Sequence, residues 1–143
     1  MSIKKEEFYK GAAIYRLIRQ GGASLSYEEP FILLNGSQRI WLKYSTACRS
    51  PWAFTFTPEE RVLLRSAASA NVLVIGLVCA SDGVAALDFE DFTSVAGETA
   101  DPVSISCARR HRGRYRVGGP DGLCRARIPA TKWQALALGG SCE

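Results

Sequence analysis

The residues with the clearest chemical capacity lie in the last third of the chain. Seven arginines, Arg109, Arg110, Arg112, Arg114, Arg116, Arg125 and Arg127, fall in one short stretch. A guanidinium presents parallel N–H donors that match a phosphate, and it stays charged at any physiological pH. Tyr115 is interleaved with these arginines, and Lys43, Trp41 and Trp52 lie upstream. Cations hold a nucleic-acid backbone while aromatic rings stack on unpaired bases. Strand alternation would set Arg112, Arg114 and Arg116 on one face. The expected partner is DNA or RNA, bound by the seven arginines and Lys43. The competing expectation is neutralisation of the acidic middle within the fold, or a solvated face. Residues 1–50 carry a net +4, residues 51–100 a net −5 and residues 101–143 a net +5, a swing that the overall +4 conceals.

Other chemistry is thinner. The single histidine, His111, lies between Arg110 and Arg112. Neighbouring cations lower its basicity, so a polyanion contact suits it better than general-base work. Five cysteines (Cys48, Cys79, Cys107, Cys124 and Cys142) form no C-x-x-C pair, so neither a structural zinc site nor a metal is expected. Cys79 lies in an apolar run and reads as an inert core residue. Cys107 and Cys124 flank a hairpin and are candidate cross-strand neighbours, while Cys48 beside Arg49 has no visible base. No G-x-S-x-G or phosphate-binding glycine pattern occurs, and residues 118–122 (GGPDG) read as a turn.

These residues must be placed by an α/β framework. Apolar spacing predicts a helix over 3–20, with Phe8, Ala12, Tyr15, Ile18 and the adjoining Ile14 and Leu17 recurring at three- and four-residue steps and Gly11 marking close packing. A β-hairpin follows at about 24–45, with Pro30 at an edge or bulge and Asn35-Gly36 as its turn. Residues 46–53 read as a polar loop. Thr57-Pro58-Glu59-Glu60 opens a helix to about Ala70, with Val62, Leu63 and alanines buried. The continuous apolar run 72–79 reads as a strand buried on both faces. A short strand 84–87, a helix near 89–95 capped by Asp88, strands near 103–107 and 114–117, a partner strand 123–128 and a short helix from Thr131 complete the chain. The fold class is α/β. A mixed central sheet holds the hairpin and the buried strand 72–79 between flanking helices, followed by a C-terminal β-hairpin and short helix. One domain spans 1–143, with a core over 1–97 and a basic β-rich extension over 101–143.

The first 95 residues resemble the restriction-endonuclease-like, or PD-(D/E)XK, fold of archaeal junction resolvases and homing nucleases. The likeness lies in a helix carrying Glu7, a hairpin whose second strand ends in Trp41-Leu42-Lys43 followed by Tyr44-Ser45-Thr46, then a helix and a strand. The resemblance implies a nucleic-acid-handling scaffold. The family's chemistry needs an Asp and a further carboxylate or amide two positions before the lysine, together holding a divalent cation. Trp41 occupies that second position here, and Pro30-Phe31-Ile32-Leu33-Leu34 stands where the Asp belongs. Glu7, Glu28, Glu29 and Lys43 are the transferable candidates, and Mg²⁺ is implied only if a migrated carboxylate site is active. The expectation is a nuclease-like scaffold without catalysis and without a cofactor.

A second class of function is a protein-interaction or dimerisation module, with Trp52, Phe54 and Phe56 alternating as an aromatic contact patch. The same alternation also fits an edge strand packed on the core. No apolar run is long enough to cross a bilayer, and the N-terminal residues lack a signal-like segment, so a cytoplasmic protein with no membrane partner is expected.

Overall fold

The computed structural model describes residues 2–19, 24–28, 30–70, 72–110, 113–124 and 127–137, without the side chains of Gln134, Leu136 and Ala137. Glu29, His111, Arg112, Arg125 and Cys142, singled out above, lie outside the described residues.

The architecture is mixed α/β. Among the described residues the order is α1 (Lys5–Ile18), β1 (Leu25–Glu28), β2 (Phe31–Leu34), β3 (Gln38–Ser45), β4 (Trp52–Phe56), α2 (Pro58–Ala70), β5 (Val72–Cys79) and β6 (Gly83–Asp88). Then follow α3 (Phe89–Ala96), β7 (Val103–Arg109), β8 (Tyr115–Gly119), β9 (Gly122–Leu123) and α4 (Lys132–Ala137). A five-stranded sheet has the order β1-β2-β3-β5-β6, and a four-stranded sheet has the order β4-β7-β8-β9.

Local chemistry explains the main elements. Asn35 and Gly36 both take positive φ, 53° and 74°, as the tight turn between β2 and β3 requires. The Asn35 side chain also accepts the Ser24 N–H at 2.8 Å. Helix α2 begins with a complete capping box. The Thr57 N–H reaches Glu60 Oε1 at 2.9 Å, and the Glu60 N–H reaches Thr57 Oγ1 at 3.1 Å. That helix carries the chain over from β3 to β5, which pair in parallel along their whole length. Asp88 caps α3 by accepting the Asp91 N–H at 2.7 Å.

The five-stranded sheet is covered on both faces. Helices α1 and α4 pack Ala13, Leu17 and Trp133 against Ile40, Leu42, Val74 and Val84. The indole of Trp133 donates to the Ala13 carbonyl at 3.0 Å. Gly76 makes room for that ring, since a Cβ there would lie 2.8 Å from Leu42 and 3.0 Å from Trp133. The opposite face carries Trp41, Ile75, Leu77 and Leu87 against Trp52, Phe54, Phe56, Ile105 and Tyr115 of the second sheet. β4 therefore joins the basic C-terminal strands as their edge partner, pairing Trp52–Phe56 with β7.

Several expectations are corrected. Pro30 splits the 24–34 segment into two antiparallel strands, because it has no N–H to give a ladder and the chain turns there. Trp52, Phe54 and Phe56 are buried and Ala53 and Thr55 exposed, so the aromatic alternation is an edge strand on the core and no contact patch. The strand expected over 123–128 shrinks to Gly122–Leu123 plus a single bridge from Ile128 to Tyr115. On α1 the buried residues are Ala13 and Leu17, while Phe8, Tyr15 and Ile18 face solvent. Nothing lies within 4 Å of a Cβ built on Gly11, so that glycine does not serve close packing. On α2, Val62 and Leu63 are exposed and Arg61 is buried. Carbonyls of Ala96, Gly97 and Asp101 accept the Arg61 guanidinium at 3.3, 2.7 and 2.6 Å, which offsets its desolvation. Cys107 lies opposite Val117, whose carbonyl takes the Cys124 N–H, so β8 separates Cys107 from Cys124. The neighbour of Cys107 is Cys79, with sulfurs 3.8 Å apart. The hydrogen bond to Cys107 and burial push the Cys79 thiol well up, in keeping with an inert core residue.

Candidate nucleic-acid interface

The β7–β8 hairpin places the described arginines of the cluster. The Gly113 N–H closes a turn on the Arg110 carbonyl at 2.8 Å. Tyr115 and Val117 point into the core, which turns Arg116 outward. Paired backbone bonds between Tyr115 and Ile128, at 2.7 and 2.8 Å, bring Arg127 alongside the same hairpin. Arg109, Arg110, Arg114, Arg116 and Arg127 line one concavity of about 160 Å³ with Ser50, Ala108 and Gly113.

Within this group Arg109 differs from the rest. Its guanidinium donates to Asp82 Oδ2 at 2.9 Å, to the Gly113 carbonyl at 2.7 Å and to the Tyr115 hydroxyl at 3.2 Å. It also lies over the Tyr115 ring, 4.8 Å from its centroid. The hydrogen bond it donates to the Asp82 carboxylate holds its proton more firmly than usual. The Tyr115 hydroxyl completes the triangle by donating to Asp82 at 2.7 Å. Burial, then that bond, pushes the Tyr115 pKa well up. Gly83 permits this arrangement, because a Cβ there would fall 2.5 Å from the Tyr115 oxygen. Arg109 is thus a clamp between the two sheets.

Arg110, Arg114, Arg116 and Arg127 are exposed. Among the described residues none of these four guanidiniums has an ion pair or hydrogen bond. Three carboxylates of the acidic middle pair with other cations. Asp82 takes Arg109, Glu60 takes Lys43 and Asp91 takes Lys132. Neutralisation within the fold therefore accounts for Arg109 and not for the other four.

The aromatic half of the expectation fails. Tyr115, Trp41 and Trp52 are all buried, so none presents a ring for a base to stack on. Trp52 instead donates its indole N–H to the Ala47 carbonyl at 2.9 Å.

The remaining candidates are held apart. Lys43 projects toward α2 and the second sheet. Its amine lies 2.7 Å from Glu60 Oε2 and 2.8 Å from Oε1, and 5.2 Å from the Phe56 ring centroid. Partial burial works to raise the Glu60 pKa, but the Lys43 and Thr57 bonds outweigh it and hold the carboxyl below its usual value. Glu7 belongs to α1, on the opposite face of the sheet, and accepts the Lys4 N–H at 3.0 Å. Glu28 pairs with Arg39 at 2.7 Å. Among the described residues no three His, Cys, Asp or Glu side chains gather as metal ligands. Ser50, Gly113 and Asp82 are site residues that sequence reasoning missed, and only the fold brings Asp82 and Ser50 to the hairpin.

No protein-family model, curated protein or solved structure matches the chain. Among the described residues no helix is long and apolar enough to cross a membrane.

Proposed function

We propose that this protein binds nucleic acid through its phosphates, using Arg110, Arg114, Arg116 and Arg127. The observation that carries this reading is four exposed guanidiniums around one concavity, without a carboxylate among its lining residues. Such a cluster repels itself in the free protein, and phosphates relieve that repulsion while releasing their counterions. With the nearby rings buried, contacts go to the backbone and carry little sequence preference. Order of elements supports a nuclease-like scaffold: α1, the β2–β3 hairpin with Lys43 in its second strand, α2 and β5. We assign no hydrolysis to that scaffold, because Trp41 holds a ligand position and the Lys43 amine is bonded to Glu60. A reducing, cytoplasmic setting suits the free thiols Cys48, Cys79 and Cys107.

The test is a polarisation titration of labelled single-stranded DNA, duplex DNA and RNA at several salt concentrations. Binding that weakens steeply with salt is expected, and flat titrations at low salt with all three would reject the reading. Incubation with Mg²⁺ or Mn²⁺ is expected to leave each nucleic acid intact.

A further inference from the structure

β3 runs five residues past its last pairing with β2. The β2–β3 ladder ends at Ile32 opposite Ile40, whereas β3 pairs with β5 through to Ser45. Trp41–Ser45 therefore has, among the described residues, no strand partner on the side away from β5. The cause is Pro30. The register would put it opposite Leu42, where it has no N–H to offer, and there the chain turns back into β1.

A groove of about 530 Å³ lies along this open edge. Its far wall is Ala53–Thr55 of β4, itself the edge strand of the second sheet. The buried Trp41 lines the groove, and its indole N–H has no hydrogen-bond partner. The charges along the groove cancel: Glu6 pairs with Lys10 at 3.0 Å and Lys43 with Glu60 at 2.7 Å.

We propose that this groove binds an uncharged, extended peptide segment of a partner protein, which adds to the β3 edge as a further strand. Unpaired N–H and C=O groups in a row are the template for strand addition. A helix would satisfy its own backbone and leave the edge unpaired. A nucleic acid would find no net positive charge here, in contrast to the arginine concavity. A second copy of this chain would press two sets of these ion pairs together, each losing water. Five residues of edge span roughly 17 Å, so about five residues of peptide fit. This site is independent of the proposed nucleic-acid surface.

A display library of random linear peptides, selected against the full chain, tests the proposal. Selected peptides, made synthetically with a fluorescent label, are expected to slow hydrogen exchange at the amides of Trp41–Ser45 that point away from β5. They should lose at least tenfold in affinity when alternate backbone amides are N-methylated. Ala53→Tyr, at an exposed strand position that favours aromatic residues, should fill the groove and cost a similar factor while leaving the melting temperature unchanged. Arg116→Ala should not alter peptide binding. Three results would each overturn the proposal. They are no selected peptide, selected peptides bound equally well by Ala53→Tyr, and protection of the amides that point away from β5 in the free protein, with self-association in sedimentation.

Discussion

Lys43 and the arginines of the β7–β8 hairpin are cations that the sequence places in one functional group, yet their surroundings differ. At the rim of the five-stranded sheet, Lys43 is bonded to Glu60, whose other contacts cap α2. Around the hairpin concavity, one arginine is clamped by Asp82 and Tyr115, and four have no protein partner among the described residues. A paired cation is part of the fold, whereas the unpaired cluster faces solvent, where we propose that it meets phosphates. The same contrast separates two grooves. One is charge-balanced beside a strand edge, and the other is strongly positive.

The largest effect that would break this comparison is on binding. Replacing Arg110, Arg114, Arg116 and Arg127 together by Ala should reduce nucleic-acid affinity about a hundredfold at low salt, since about four phosphate contacts are lost. The melting temperature should stay the same or rise as self-repulsion is removed.

Arg109→Ala should behave in the opposite way. It leaves Asp82 and Tyr115 without their shared partner, and we expect a loss of about 2 kcal/mol in denaturant unfolding. Tyr115→Phe, which removes one hydroxyl from the same triangle, should cost about 1 kcal/mol. A nucleic-acid deficit in Arg109→Ala that exceeds its loss of fold would place Arg109 with the free arginines instead.

Lys43→Met sharpens the other side. This pair is partly exposed, so its loss should cost no more than about 1 kcal/mol near neutral pH. The Glu60 carboxyl is held low in the folded state, so its contribution is present above the unfolded carboxylate range and is lost as pH falls through the folded value. The stability gap between wild type and Lys43→Met should therefore narrow in acid, as urea unfolding at pH 7 and at about pH 3 would show. A gap independent of pH would mean that Lys43 acts through packing on Phe56. The smallest effect is Arg116→Ala alone, which should flatten the salt dependence by about one phosphate contact without altering stability.

Much of the framework was legible where one signal dominated. The apolar run Val72–Cys79 is β5 to the residue, and the Thr57/Glu60 box opens α2 where expected. Asn35-Gly36 turns the chain as its dihedral freedom demands. What failed depended on neighbours distant in the chain. Helical spacing shows that apolar residues recur, but not which stripe faces the sheet, so Phe8, Tyr15, Val62 and Leu63 read as inward and lie outward. Arg61 is inside because three backbone carbonyls thirty-five to forty residues away accept its donors. The candidate site was half legible. The arginine run is plain in the sequence, but Asp82 decides that Arg109 is clamped, and that carboxylate is 27 residues away. The interleaved Tyr115 invites a stacking role, which its place between the sheets removes.

The central claim is that the four unpaired arginines hold phosphates. The salt dependence of single-stranded DNA binding tests it most directly, with wild type and the four-arginine variant compared over about 50–200 mM monovalent salt. We predict a wild-type slope of log affinity against log salt near −3, with the variant near zero, following the roughly 0.7 per contact expected for single strands. Equal slopes in the two proteins would contradict the account.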